Sequence, residues 1–366
     1  MAESIGRGRP GTAHRRPGEV LSPELDLSLL SGFSFSCRPD CGLCCFTSPR
    51  LEGDDEARLR SLVPDVRVRR REGARCVAAR SEGGACELLK ELRCAAHAAR
   101  PAPCREYPVS VHVGTRLQAT LVLSCPGVAL DPIRTFGSRP ASPNFLGLDS
   151  EIESVRARIT PAAERLRSEA ERRRRRVLRQ LSEGGRWVDE AEVRDRLSRE
   201  RLIPDRAEFR PGELPSVEDG LEQLPMYFDG RAAPVVLAEG AGGWEALVLS
   251  PEGGAESMGL ATLPDEVPVL RSDAEPLLSG YLRYWLARDC FLAAVHQEML
   301  SRTRGTVVEE AREELLAIAS DVLARASVRA RLRGEDGMRL GRGDVERGIR
   351  ATDQDWLDRP TWGSRL

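Results

Sequence analysis

From residue 149 onward the chain is written mainly in helical period. Val155, Ile159, Leu166, Ala170, Val177, Leu178 and Leu181 recur at helical spacing, which predicts a long helix from about Asp149 to Leu181 with one apolar stripe. The segment RWVDEAEVRDRLSRERL (186–202) predicts a second amphipathic helix. From Glu275 to Arg302, Leu278, Leu282, Trp285, Leu286, Leu292, Val295 and Met299 form a broad apolar face, so one buried helix is expected there. TVVEEAREELLAIASDVLARAS (306–327) should pack against it, and DVERGIRATDQDW (344–356) reads as a last short helix.

Elsewhere the period is two. VSVHVG (109–114) alternates around His112, and LQATLVLSC (117–125) is β-branched and apolar. Together they predict a hairpin turning near Gly114 and Thr115. PVVLAEGAGGWEALVLSPEGG (234–254) predicts another around Gly240 to Gly243. DDEARLRSL (54–62) is a short helical stretch with Leu59 and Leu62 on one side, and FGSRPASPNFLG (136–147) reads as a linker. The pattern gives an α+β fold class: a small cysteine-rich domain with short strands, then a mostly helical region containing a β-hairpin. The expected organisation is a disordered tail over 1–30, a cysteine-cluster domain over 31–130, a linker over 131–148 and a helical domain over 149–366. The last carries an acidic β-containing insert near 206–270.

Charge changes the picture in two places. ERRRRRVLRQL within the long helix places five consecutive arginines beside its apolar stripe, so they read as a solvated face rather than a nucleic-acid surface. Residues 206–276 hold 14 Asp and Glu against 4 Arg, a net of −10. That block argues against nucleic acid as partner and suits a basic or lysine-bearing protein. No apolar run is long enough for a membrane span, and the basic, Pro- and Gly-containing N-terminus lacks a signal-peptide core. A cytoplasmic location is expected.

Nine of the ten cysteines fall between residues 37 and 125. In a reducing compartment such clustering points to metal ligation rather than disulfides. Cys290, in an apolar helix, reads as a small buried hydrophobe, and Cys76 fits core or ligand equally well. The remaining eight are Cys37, Cys41, Cys44, Cys45, Cys86, Cys94, Cys104 and Cys125. Thiolates take zinc or iron, the latter in iron–sulfur clusters. Adjacent Cys44 and Cys45 point apart in an extended chain. They face one centre only if the backbone turns sharply, with Gly42 nearby to give freedom. Eight thiols can fill two four-ligand sites or surround one cluster. The excess over a simple zinc ribbon favours an iron–sulfur cluster over Zn2+. Such a metal would staple residues 31–130 together.

The pattern C-x3-C-x2-C-C, followed by GACELLKELRCAAHAARPAPCREYP (84–108) and Cys125-Pro126-Gly127, resembles the YkgJ-like cysteine-cluster family, described as zinc- or iron-chelating. The resemblance covers about residues 35–130. His97 stands where that family often has tyrosine, and reads as an orienting hydrogen-bond group or as a ligand. Arg100 and Arg105 are placed to donate to thiolate sulfurs, or else form surface salt bridges. The best-described branch resembles flagellin lysine N-methylase, which implies S-adenosylmethionine as donor if this chain methylates. No glycine-rich dinucleotide-type loop is visible, so such an activity would use another site. Tyr227, Tyr281 and Tyr284 beside the acidic block are candidates for receiving a lysine. The C-x3-C-x2-C spacing also occurs in radical S-adenosylmethionine enzymes. Here, however, Leu43 replaces the usual aromatic, no βα units follow, and the extra cysteines exceed that site's needs.

Overall fold

The structure is a computed structural model describing residues 25–38, 41–46, 48–71, 73–80, 85–114, 116–136, 146–211, 223–228, 231–240, 243–302, 304–357, 361 and 364–365. Residues 1–24 of the expected tail and 137–145 of the expected linker lie outside these residues; residues 25–30 are described, with Leu29 and Leu30 buried in the main core. Its strands are β1 (Leu25–Asp26), β2 (Val68–Arg71), β3 (Ala74–Val77), β4 (Leu89–Lys90), β5 (Arg93–Cys94), β6 (Val109–Val113), β7 (Leu117–Leu121), β8 (Gln223–Phe228), β9 (Arg231–Gly240), β10 (Gly243–Leu249), β11 (Ala255–Ala261), β12 (Val269–Leu270), β13 (Arg339–Leu340) and β14 (Ser364–Arg365). Its helices are α1 (Asp55–Leu62), α2 (Ala102–Glu106), α3 (Asp149–Glu183), α4 (Glu190–Ser198), α5 (Glu275–Ala287), α6 (Asp289–Glu298), α7 (Val307–Leu332) and α8 (Arg342–Leu357). The class is α+β. Among the described residues, no helix is long and apolar enough to cross a membrane.

The alternation at 109–121 does build a hairpin, Val109 opposite Leu121 through Val113 opposite Leu117. It lies at the centre of the sheet β1-β7-β6-β14 and is buried on both sides. Val109, Val111 and Val113 share one face with Leu117, Ala119 and Leu121, and β6 packs against α3. The other face is polar yet buried: Ser110, His112, Gln118 and Thr120. β7 stops at Leu121, short of the predicted Cys125, because the chain turns there to bond with helix α8.

α3 matches its periodicity. Ile152, Val155, Ile159, Ala170, Val177 and Leu181 are buried, while Arg172, Arg173, Arg175 and Arg176 are exposed and Arg174 pairs with Glu190 at 2.9 Å. Helix α4 is shorter than expected. Asp189 caps it by accepting from the Ala191 N–H at 2.9 Å, leaving 186–189 outside. Thr306 and Glu309 form a reciprocal capping box that starts α7. The hairpin near Gly240 extends into a four-stranded antiparallel sheet, β11-β10-β9-β8. Its residues Val235, Ala246 and Ala261 pack on Val328 of α7 and Ala351 of α8.

The single helix expected over 275–302 is two. Arg288 adopts an extended conformation (ψ 128°) between α5 and α6. The reason is its side chain, which has no solvent exposure. Its Nε donates to Thr120 Oγ1 (2.9 Å), Nη1 to Asp353 Oδ1 (2.8 Å), and Nη2 to Leu121 O (2.8 Å) and Asp353 Oδ2 (3.2 Å). The break is satisfied at both ends: Ala287 O accepts from Arg194 and Gln118, and the Asp289 N–H donates to Gln118 Oε1. Tyr281 and Tyr284 are fully buried here. Tyr281 donates to Asp353, and the Tyr284 hydroxyl bonds Thr120 and the Leu121 N–H. Neither can receive a substrate lysine, which corrects that expectation; the Tyr227 side chain lies outside the described residues.

Two apolar clusters matter for the site. The main core draws residues from both sides of the expected linker, including Leu121, Cys125, Val128, Val155, Tyr281, Leu323 and Ile349. A small separate core holds Leu59, Val66, Val77, Cys86, Leu88 and Ala96, with Cys45 and Cys94 packed against it. Replacing Arg288 by Met should destabilise the chain by about 3–5 kcal/mol, because Asp353 is left charged and buried. The double change R288M/D353L should recover much of that loss. Urea midpoints of the three proteins check this, and equal midpoints for wild type and R288M would refute it.

Candidate metal centre

The cysteines reach one region by three routes. The first four follow an incoming strand tied to the Cys125 loop: the Ser36 N–H donates to Gly127 O at 3.0 Å, and Phe35 bridges Val128. A Cβ on Gly127 would stand 2.5 Å from Ser36 O, so this approach needs glycine. The chain then enters a 3-10 turn, Leu43–Phe46, closed by Cys45 N–H to Gly42 O at 2.9 Å. That tight winding lets the neighbouring thiols meet, the Cys45 thiol hydrogen-bonding to the Cys44 sulfur. Gly42 contributes in a way the sequence did not suggest. Its φ is not positive; rather, a Cβ there would sit 3.1 Å from both Leu89 methyl carbons. Its missing side chain admits the β4–β5 hairpin.

That hairpin, which the sequence left as loop, carries Cys94 opposite Leu89. Its two-residue turn, Glu91–Leu92, has φ of 47° and 60°, the mirror-image turn that hairpin twist favours but side chains resist. Cys86 precedes it, and its N–H donates to Cys45 O at 2.6 Å. The third route is α2, where Cys104 follows Pro101, and the loop after β7, where the Cys125 N–H donates to Val122 O.

Cys44 is the common neighbour. Its charge acts on Cys37, Cys41, Cys45, Cys86, Cys94, Cys104 and Cys125. Cys37 and Cys44 are exposed, Cys41, Cys45, Cys94 and Cys104 are half-buried, and Cys86 and Cys125 are buried. Among the described residues no three Cys, His, Asp or Glu donors already stand in a ligating arrangement, so a metal would draw the thiols in from these positions. Cys76 stands apart, buried on β3 between Arg69 and Arg50. Cys290 is half-buried on α6 against the main core.

The electrostatics suit a cation. The hydrogen bond from Cys45 lowers the Cys44 pKa to about 7, and the Arg100 charge helps. Giving that bond, together with burial, pushes Cys45 up. Burial raises Cys41 and Cys86 to about 11 and Cys125 to about 12, and raises Cys37, Cys94 and Cys104 as well. Neighbouring thiols oppose one another's ionisation, so the set stays largely neutral until a positive ion joins it. Arg100 acts on Cys37, Cys44, Cys94 and Cys104, and among the described residues its buried Nε has no hydrogen-bond partner. A buried donor with no acceptor beside sulfurs is what an anionic metal–thiolate centre would satisfy.

Arg105 is placed differently. Its Nη1 donates to the Arg100 carbonyl (2.7 Å) and to Asp55 (3.4 Å), and its Nε to Ser154 of α3 (3.4 Å), not to sulfur. His97 is exposed, and partial desolvation of its ring, with the Arg100 charge, lowers its pKa. Several contributors escaped the sequence reading. Asp55, 1% exposed, accepts from the N–H groups of Ala102 and Glu52 and from Arg58, fixing the Cys104 segment to α1. Burial holds the Tyr107 pKa well above its ordinary value, and charge on Cys125, Cys44 or Cys41 would raise it further. Glu151, in the first turn of α3, is close to Cys37. A hydrophilic residue in a helix start gives no signal of such roles.

Asp55→Ala would strand the Ala102 N–H and two guanidinium groups, at a cost of about 3 kcal/mol. Amide exchange should speed up first at Ala102 and Cys104. Unchanged protection there would show that Asp55 does not hold this segment.

Residues 36–126 match the family model described as "CxxCxxCC: Putative zinc- or iron-chelating domain", so this quarter of the chain carries a cysteine-cluster domain. No curated protein and no solved structure matches the chain.

Proposed function

We propose that Cys37, Cys41, Cys44, Cys45, Cys86, Cys94, Cys104 and Cys125 supply a metal centre that staples the small core to the main one. The observation that carries this reading is the position of Cys44. Its neighbours include Cys45, Cys86 and Cys94 from the small core and Cys125 from the main core. The small core has only a handful of apolar side chains, too few to hold a segment of this length alone. An iron–sulfur cluster is the preferred occupant, because the thiols around Cys44 outnumber the four that one tetrahedral zinc takes. When bound, such a group supplies the positive charge that lets the thiols ionise together. Arg100 would neutralise the excess negative charge from one side.

Protein-lysine methylation with S-adenosylmethionine is the second reading. It is favoured by the acidic sheet, whose strand β9 packs against the turn Leu43–Phe46 and whose Glu252 pairs with Arg80 of the cysteine segment. Label transfer from S-adenosylmethionine to basic proteins by the wild type, and not by Cys41→Ser, would support it. Equal transfer by both would end it.

For the metal, anaerobically purified protein should carry iron and sulfide in stoichiometric amount, with a visible charge-transfer spectrum. Stoichiometric zinc in a colourless protein would replace the iron–sulfur reading, and the absence of both metals would remove the staple. Because most of the thiol pKa values are raised, ligation must displace protons, so retention of the metal should weaken as pH falls. Stripping the metal should open residues 41–104 to protease while α5–α7 stay protected.

A further inference from the structure

Helix α8 lies more than 200 residues beyond the cysteine pattern and carries none of its thiols. Yet it grips the loop that presents Cys125. Arg350, 4% exposed, donates through Nη1 to the carbonyls of Leu123 (3.1 Å) and Cys125 (2.6 Å), and through Nη2 to that of Val128 (2.8 Å). At the other side of the same residue, the Leu123 N–H donates to Asp353 Oδ2 at 2.7 Å. Four backbone groups between 123 and 128 are therefore fixed by two side chains one helical turn apart. Within the loop itself only the Cys125 N–H to Val122 O and Val128 N–H to Cys125 O bonds were found among the described residues. These leave the carbonyls of Leu123 and Val128 in need of a buried donor. Arg350 is the donor, and Glu346 (3.1 Å) holds its guanidinium from the solvent side.

We propose that Arg350 is a positioning residue for the metal centre: from outside the cysteine-cluster domain it sets the direction of the Cys125 thiol, and so couples metal retention to the docking of α8. This rests on the reading of Cys125 as a ligand. Partners that orient a ligand without touching the metal commonly change metal affinity by about 10–100-fold. The planar fork is essential to the argument, since it reaches three carbonyls at once. A lysine ammonium on a flexible stem would reach them less completely. Coupling of this kind is reciprocal: a metal that holds Cys125 must stabilise α8 to the same degree that α8 stabilises the metal.

The test uses the full chain, purified with its metal and challenged with a chelator, with iron and zinc content followed over time. Arg350→Met should lose metal at least about tenfold faster than wild type, and Arg350→Lys should fall between. Val193→Ala creates a cavity at a buried position of another helix, α4, and should stay within about twofold of wild type. Metal removal from the wild type should speed amide exchange across α8. Wild-type retention by Arg350→Met, or equally fast loss from Val193→Ala, would overturn the inference. Cys125→Ser separates the two ideas. If it retains metal like wild type, Cys125 is not a ligand and the underlying reading falls. If it loses metal while Arg350→Met does not, only the positioning role falls.

Discussion

Arg288 and Asp353 face each other with no access to water, and the position of nearly everything else follows from how that burial is made tolerable. Removing either charge from solvent costs several kcal/mol, which only a complete set of hydrogen bonds can offset. The guanidinium makes its bonds to Asp353, Thr120 and Leu121 O, and lies 4.1 Å from the Trp285 ring centre and 4.6 Å from that of Tyr284. The carboxylate also takes the Tyr281 hydroxyl and the Leu123 N–H. Three decisions are made at once. The helix after Trp285 must break so that Arg288 can turn inward. Strand β7 must end where Leu121 and Leu123 bond to other elements. Helix α8 must lie where Asp353 meets both.

This explains which parts of the fold were legible. Apolar spacing locates α3, α5, α7 and the β6–β7 hairpin well, because each buries a continuous stripe or alternating face. It cannot show the break at Arg288, since Leu282, Trp285, Leu292 and Val295 remain in helical register on both sides. The information lies in one charged residue whose partner is 65 positions away. The outer strands of the acidic sheet were missed for a related reason. β11 is mostly exposed and has no apolar alternation to read, and it is recruited by pairing with β10. β4–β5 was missed because its turn uses Glu91 and Leu92 where Asn-Gly would announce a hairpin.

The candidate site was legible as a set of residue types and not as an arrangement. Cysteine among Arg, Pro and Gly has few uses other than metal, so the eight thiols stand out as candidates by residue type alone. What spacing could not supply is the selection among their neighbours. Arg100 and Arg105 look equivalent in RPAPCR, yet a buried carboxylate from α1 captures Arg105 and leaves Arg100 turned to the sulfurs. Asp55 makes that choice, and its own position depends on α1 packing over Leu59 in the small core. Likewise Gly42 invites an argument from backbone freedom, but its role is the space it leaves for Leu89.

The family match ends at residue 126, one residue after Cys125, but the forces that place Cys125 do not. Its loop is held by Arg350 and by the same Asp353 that neutralises Arg288, and its neighbours Val122, Leu123 and Val128 belong to the main core. Any free energy released when a metal closes on Cys125 is therefore shared with α8 and, through Arg288, with the junction of α5 and α6. The reverse also holds: a loosened α8 leaves the Leu123, Cys125 and Val128 carbonyls without their donor and lets the thiol turn away. The long helical region thus holds the backbone of the last cysteine of the cluster. Residues 36–126 in isolation would keep their eight candidate thiols and lose the clamp that aims the last of them.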